Sequence, residues 1–159
     1  MTELNIDNIK AQMRKGILEY CILSIISRND AYASSIIAEL KAAAEDNGLI
    51  LTTNIGPSKD QDLASPDPAI RKNGLDFLTG VLRAMDKIGS KSLVGAMYSF
   101  WPCDFKYTDK EAAWDTSIAE MKKLAAVAED LGIDLCQEVL NRFETYIMTN
   151  AAEGVEYCK

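Results

Sequence analysis

Glu138 is the side chain in this sequence most suited to chemistry. It lies within Ile133-Asp134-Leu135-Cys136-Gln137-Glu138-Val139-Leu140-Asn141-Arg142-Phe143-Glu144, which reads as a short buried strand running into a polar loop. Leu135, Val139 and Leu140 supply the apolar content, and Glu138 interrupts it near the C-terminal end of the strand. An ionised carboxylate there loses hydration unless something positive pairs with it. In parallel α/β folds, ligands and catalytic groups gather at the C-terminal ends of strands. Two readings follow. Glu138 is a metal ligand or general base, or it is a solvated strand-end carboxylate paired with Arg142 or a lysine, as charged groups near strand ends commonly are.

Other chemistries are excluded by what is missing. The chain has no histidine, which removes Ser-His-Asp and Cys-His catalysis and every histidine metal ligand. Its four cysteines, Cys21, Cys103, Cys136 and Cys158, are far apart and form no CxxC pair. They read as free thiols in a reducing compartment and not as a zinc site or disulfide frame. A formal charge of -7 argues against non-specific binding to a polyanion, so nucleic acid is not an expected partner. No apolar run is long enough to span a bilayer, and the start lacks the order of a signal peptide, so the expected location is the cytoplasm.

The elements that must position Glu138 alternate in type. Residues 1–43 form a helical block of their own: Ile6, Ile9, Met13, Ile17, Cys21 and Ile25 recur at helical spacing, and residues 32–44 read as a second amphipathic helix with Ile36, Ile37 and Leu40 inward. Asn47-Gly48 stops that helix. Strands are expected from about residues 49, 92 and 134. The first is followed by a helix capped by Ser65 with Pro66 in its first position. The second is followed by a helix opened by Thr108 and Glu111 at capping-box spacing, burying Trp114, Ile118, Met121, Ala125 and Ala128. A last helix covers about residues 150–158. Strands alternating with long helices imply a parallel sheet with right-handed crossovers, here three strands in the order 1-2-3 with helices on one face.

Several ordered words resemble the ketose 3-epimerases, the D-psicose and D-tagatose 3-epimerase group. They are residues 138–144, Thr149-Asn150-Ala151-Ala152-Glu153-Gly154-Val155, Asn54-Ile55-Gly56-Pro57-Ser58, Ser65-Pro66-Asp67-Pro68-Ala69-Ile70-Arg71-Lys72-Asn73 and Gly95-Ala96-Met97-Tyr98-Ser99-Phe100-Trp101-Pro102. The resemblance runs from about residue 39 to 159. It implies a (β/α)8 barrel that binds Mn2+ or Co2+ and inverts C3 of a free ketohexose through an enediolate. It also implies that Glu138 is a metal ligand and an acid/base carboxylate, and that Trp101 and Glu144 contact the sugar. The bottom-up alternatives remain: Trp101 as a strand-end aromatic packed on the next loop, Glu144 as a surface ion pair. The family's other ligands, an Asp, a His and a second catalytic Glu, belong to later strands.

Residues of about 1–41 resemble something else. Lys15-Gly16-Ile17-Leu18-Glu19-Tyr20-Cys21-Ile22-Leu23-Ser24-Ile25-Ile26 and Ala31-Tyr32-Ala33-Ser34-Ser35-Ile36-Ile37-Ala38-Glu39-Leu40 are similar to the start of a PadR-type transcriptional regulator, a winged-helix DNA binder. Neither the recognition helix nor the wing follows. The expected fold is therefore α/β: a partial TIM barrel of three parallel βα units over 44–159, preceded by two N-terminal helices from an incomplete winged helix. Such a fragment is expected to be inactive alone. The alternatives are a DNA-binding regulator and a non-catalytic chimera. Leu51, Thr53, Met97, Leu135 and Val139 are expected on the sheet face that a complete barrel buries, where each Å² of apolar area left wet forfeits about 25 cal/mol. Self-association through that open face is the expected remedy.

Overall fold

The computed structural model describes residues 33–103 and 109–159. The first N-terminal helix, most of the PadR-like wording and the Thr108 cap fall outside the described residues. The chain forms two compact units, one ending at Leu49 and the other running from Ile50 to Lys159. In the first, helix α1 (Ala33–Asp46) ends at Asn47-Gly48, where the Gly48 N–H donates to Glu45 O and the Leu49 N–H to Ala44 O.

The second unit alternates strand and helix throughout: β1 (Thr53–Asn54), α2 (Pro68–Ile88), β2 (Ser92–Gly95), α3 (Lys110–Leu131), β3 (Asp134–Gln137) and α4 (Ala151–Tyr157). The strands form one parallel sheet in the order β1-β2-β3, with Thr53 opposite Leu93 and Leu93 opposite Leu135. The fold is thus α/β and TIM-barrel-like, with three parallel strands in a sheet that does not close.

Local chemistry explains the helix ends, with two shifts from expectation. Helix α2 is capped by Asp67, whose carboxylate accepts the Ala69 N–H at 2.8 Å, and Pro68 takes the first helical position. Ser65-Pro66 forms the turn before it, the Ser65 hydroxyl accepting the Asp67 N–H. The competing Ser-Pro and Asp-Pro pairs each satisfy the same N-terminal preference, and the aspartate two residues later prevails. Helix α3 is capped by Asp109, which accepts the Ala112 N–H at 3.2 Å, one residue beyond the expected cap.

The core is assembled from Leu78, Leu82 and Met85 of α2, Leu124 and Ala128 of α3, Leu93 of β2 and the loop residues Leu63, Met97, Tyr98, Ile147 and Met148. Ala125, expected inward, is exposed; Leu124 is buried in its place. Polar ties join the layers. Arg71 of α2 reaches Glu120 of α3 at 3.3 Å and donates to Ser65 O and Pro66 O, so the start of α2 is pinned to α3.

The sheet faces differ from expectation. Leu93 is fully buried against the helices, and its register partners Thr53 and Leu135 share that side. Thr53 meets the Ser90 hydroxyl there at 3.1 Å. Met97 is fully buried in the core, and Val139 is 38% exposed. The opposite face carries Asn54, Val94 and Cys136, with Ser92 and Cys136 in contact at 3.4 Å. Side chains alternate along β2 and β3, and a one-residue slip in reading exchanges the faces. The first strand is also shorter than expected: Ile50, counted in it, is 89% exposed and lies outside it.

Candidate active site

Glu138 is the first residue beyond β3, and its N–H extends the ladder by donating to Gly95 O at 3.0 Å. Alternation along β3 sends Leu135 and Gln137 to the helices, so Glu138 projects to the other side. Its carbonyl accepts the Tyr98 hydroxyl at 3.2 Å. Tyr98 is itself locked: its carbonyl accepts the Ser117 hydroxyl at 2.5 Å, and Ser117 in turn meets the Tyr157 hydroxyl at 2.6 Å. Trp114 packs edge-on against Tyr157, with ring centroids 5.2 Å apart. Residues of α3 and α4 thereby hold the backbone that presents Glu138. Burial raises the Tyr98 phenol to about 12, against the opposing hydrogen bond to Thr145, so it stays a neutral donor.

The Glu138 carboxylate is exposed and makes no hydrogen bond or ion pair among the described residues. Arg142, the partner that a purely structural role suggested, instead lies 5.1 Å from the centroid of the Phe143 ring. Glu144 is half-buried, and its carboxylate is held by the Asn141 side-chain amide; its carbonyl accepts the Cys103 N–H at 3.4 Å. Trp101 is 49% exposed, with its N–H on Pro57 O at 3.1 Å and a cis peptide bond to Pro102.

These three residues come together. Glu138, Trp101 and Glu144 line one cleft of about 330 Å³, with Asn54, Ile55, Gly56, Ala96 and Leu140 completing its wall. The cleft lies at the C-terminal ends of all three strands, for the reason that loops leaving parallel strands meet at that edge. Asn54 was missed in the sequence as a lining residue, although its place at the end of an expected strand is the same signal that singled out Glu138.

Asp62 was missed altogether. It is buried, and its Oδ1 accepts the Ala64 N–H at 2.9 Å and the Phe100 N–H at 3.3 Å, joining the loop after β1 to the one that carries Trp101. Burial pushes its carboxyl above the ordinary value, only partly offset by those two N–H donors. Tyr146, close by, is raised to about 12, first by burial and then by the Asp62 charge. Nothing in the sequence distinguishes Asp62 from the exposed acids around it.

Among the described residues, no group of three or more His, Cys, Asp or Glu side chains is placed to hold a metal ion. Glu138 offers a single oxygen donor group. The described residues do not make a cage for Mn2+ or Co2+, which require several oxygen or nitrogen ligands. None of the described helices is long and apolar enough to cross a membrane, and no disulfide joins Cys103, Cys136 and Cys158, the cysteines among the described residues.

Residues 8–159 match the family model of the xylose isomerase-like TIM barrels. The match takes in most of the N-terminal helical block as well as the three βα units. The chain is 45% identical over 144 residues to a D-psicose 3-epimerase of Ruminiclostridium cellulolyticum, covering 89% of this chain and 49% of that protein. It is 40% identical over 129 residues to a D-psicose 3-epimerase of Agrobacterium fabrum, covering 80% and 45%. Among solved structures, D-psicose 3-epimerase with D-tagatose from Clostridium cellulolyticum H10 superposes with a TM-score of 0.77 at 46% identity, over 80% of this chain and 44% of that one. A D-psicose 3-epimerase solved in the presence of D-fructose gives a TM-score of 0.76 at 40% identity, over the same shares. The chain spans about half the length of the curated relatives it matches.

Proposed function

Because this chain belongs to the xylose isomerase-like TIM-barrel family, we propose that it is the part of a ketose 3-epimerase that carries one acid/base carboxylate and one wall of the sugar site. The observation that supports this reading is the convergence of Glu138, Trp101 and Glu144 on one cleft at the strand ends. The substrate class is a free ketohexose, as the names of the relatives suggest.

In this reading Glu138 is the base. Its carboxylate, free of any cation among the described residues, takes the proton from C3 of the ketose; the electron pair left on C3 joins the C2 carbonyl as an enediolate. Return of a proton to the opposite face of C3 inverts the centre. Trp101 lays an apolar ring against the sugar's C–H face, and Glu144, oriented by Asn141, accepts from a sugar hydroxyl. A two-base inversion needs a group on each face. The described residues place one free carboxylate in the cleft. The second group and the remaining donors for Mn2+ or Co2+ therefore come from polypeptide outside the described residues, and the role of Glu138 as a metal ligand depends on them.

The test compares the 159-residue chain with a fusion. In the fusion, the part of the Ruminiclostridium cellulolyticum relative that this chain does not match is joined to it. Both are incubated with D-fructose and manganese, and C3 inversion is followed by chromatography. The chain alone is expected to give none, the fusion to give turnover, and Glu138→Gln to abolish it in the fusion. Turnover by the 159-residue chain alone overturns the incomplete-site reading. A folded fusion that leaves fructose unchanged overturns the epimerase reading.

A further inference from the structure

Trp101 is the aromatic wall of the cleft, yet it is half-exposed and stands on a loop. The backbone on either side of its amide is tied to the loop between β1 and α2. The Trp101 N–H donates to Pro57 O at 3.1 Å, and the preceding Phe100 N–H donates to Asp62 Oδ1 at 3.3 Å. Asp62 is in turn held by α2. Asn73 Nδ2 donates to Asp60 O at 2.7 Å, and Arg71 Nη1 donates to Ser65 O at 2.8 Å. Between those bonds Gly74 lets the backbone close on the helix, since a Cβ there would fall 2.2 Å from Gln61 O. Leu63 and Ala64 are buried, and the Ala64 N–H donates to the same Asp62 Oδ1 at 2.9 Å. Residues 60–65 are thus a platform fixed to α2, and the Asp62 carboxylate reaches from it to the next loop.

We propose that Asp62 is the positioning residue for Trp101: by accepting the Phe100 N–H from a platform fixed to α2, it sets where the indole stands against the sugar. Asp62 does not line the cleft and acts through the residue that does. The working part is the acceptor oxygen and not the charge. Two N–H donors converge on one oxygen, and an amide oxygen in the same place accepts both. Without that oxygen the two buried N–H groups lose their partner, a cost the loop escapes by moving towards water. The loop that moves is the one bearing Trp101, because the other is anchored on α2. Displacement of a substrate-positioning group by about 1 Å costs far more in rate than in stability. The inference rests on the sugar-wall role given to Trp101 above and adds the residue that fixes it.

Trp101 and Trp114 are the two tryptophans of the chain, so Trp114→Phe, which keeps a ring against Tyr157, leaves Trp101 as the sole indole reporter. In the 159-residue chain with that change, Asp62→Ala is expected to raise acrylamide quenching of Trp101 and to speed exchange of the Phe100 amide roughly tenfold or more. Asp62→Asn is expected to leave both as they were. In the fusion, Asp62→Ala is expected to lower kcat/KM for D-fructose roughly tenfold, and Asp62→Asn to retain it. Asp62→Ala added to Trp101→Ala is expected to cost nothing further. Equal losses with and without the indole overturn the proposal, because Asp62 then acts on the fold as a whole. So does unchanged quenching in a folded Asp62→Ala chain. Should that variant not fold, exchange in the wild-type chain decides: a Phe100 amide as protected as that of Ala64 supports the tie, and one that exchanges as an open loop overturns it. A wild-type fusion without turnover counts against the epimerase reading, and quenching in the chain still decides the role of Asp62.

Discussion

Gly95→Ala tests whether the cleft depends on a close approach of two strands at its floor. Gly95 has φ +145, and a Cβ added there falls 1.9 Å from Ile55 O and 3.0 Å from Ile55 C. The clash is with backbone, so no side-chain rotation relieves it. β1 and β2 must part, which breaks the bond from the Ile55 N–H to Val94 O and disturbs that from the Glu138 N–H to Gly95 O, both 3.0 Å. Two backbone bonds at about 1 kcal/mol each and backbone strain of about 1–3 kcal/mol sum to about 3–5 kcal/mol. That is a large share of the roughly 5–15 kcal/mol typical of a domain. Gly132→Ala is the matched control: φ is +61, nothing lies within 4 Å of the added Cβ, and the expected loss is about 1–2 kcal/mol. Urea unfolding followed by far-UV circular dichroism gives both losses, and exchange at the Ile55 amide reports the β1–β2 contact. A Gly95→Ala loss no greater than that of Gly132→Ala, with Ile55 still protected, refutes the reasoning.

Two further outcomes follow from the loops around the cleft. The Asp62 carboxyl is raised in the folded chain, so its stabilising contribution is full below its ordinary value of 3.8 and is lost as pH rises through its higher folded value. Asp62→Asn keeps the acceptor oxygen and removes the buried charge; it is expected to be the more stable protein at pH 7, with the gap to wild type closing on acidification. A gap in unfolding midpoints that widens towards low pH contradicts this. Tyr98→Phe keeps the ring in the core and removes the hydroxyl that bonds Glu138 O; an expected loss of about 1 kcal/mol is measured by the same urea titration, and an unchanged midpoint shows that the bond contributes nothing.

The order of elements was legible because each signal is local. A cap residue, a proline in a first turn, a glycine after a last turn and a run of β-branched residues act within a few positions. The parallel order β1-β2-β3 follows from helices long enough to cross between strands. That strand C-termini gather at one edge follows from the same alternation, so Glu138 and Asn54 are placed there by chain order alone. The wording around Glu138, Trp101 and Glu144 carried the family.

Other features needed the tertiary structure, because they depend on which atoms fill the space between distant segments. The sequence assigns Thr53 and Leu135 to the face that a complete barrel buries; Leu93, buried in the helix-side core and in register with both, puts them on the helix side instead. Asp62 is one acid among 24 acidic residues until the Phe100 N–H arrives from a loop 38 positions away to meet it. Arg142 and Glu138 have complementary charges in the sequence, yet the guanidinium lies over Phe143 and the carboxylate stays open to the cleft. Local propensity sets what each segment becomes; desolvation and close packing between segments determine which of its groups are left available to react.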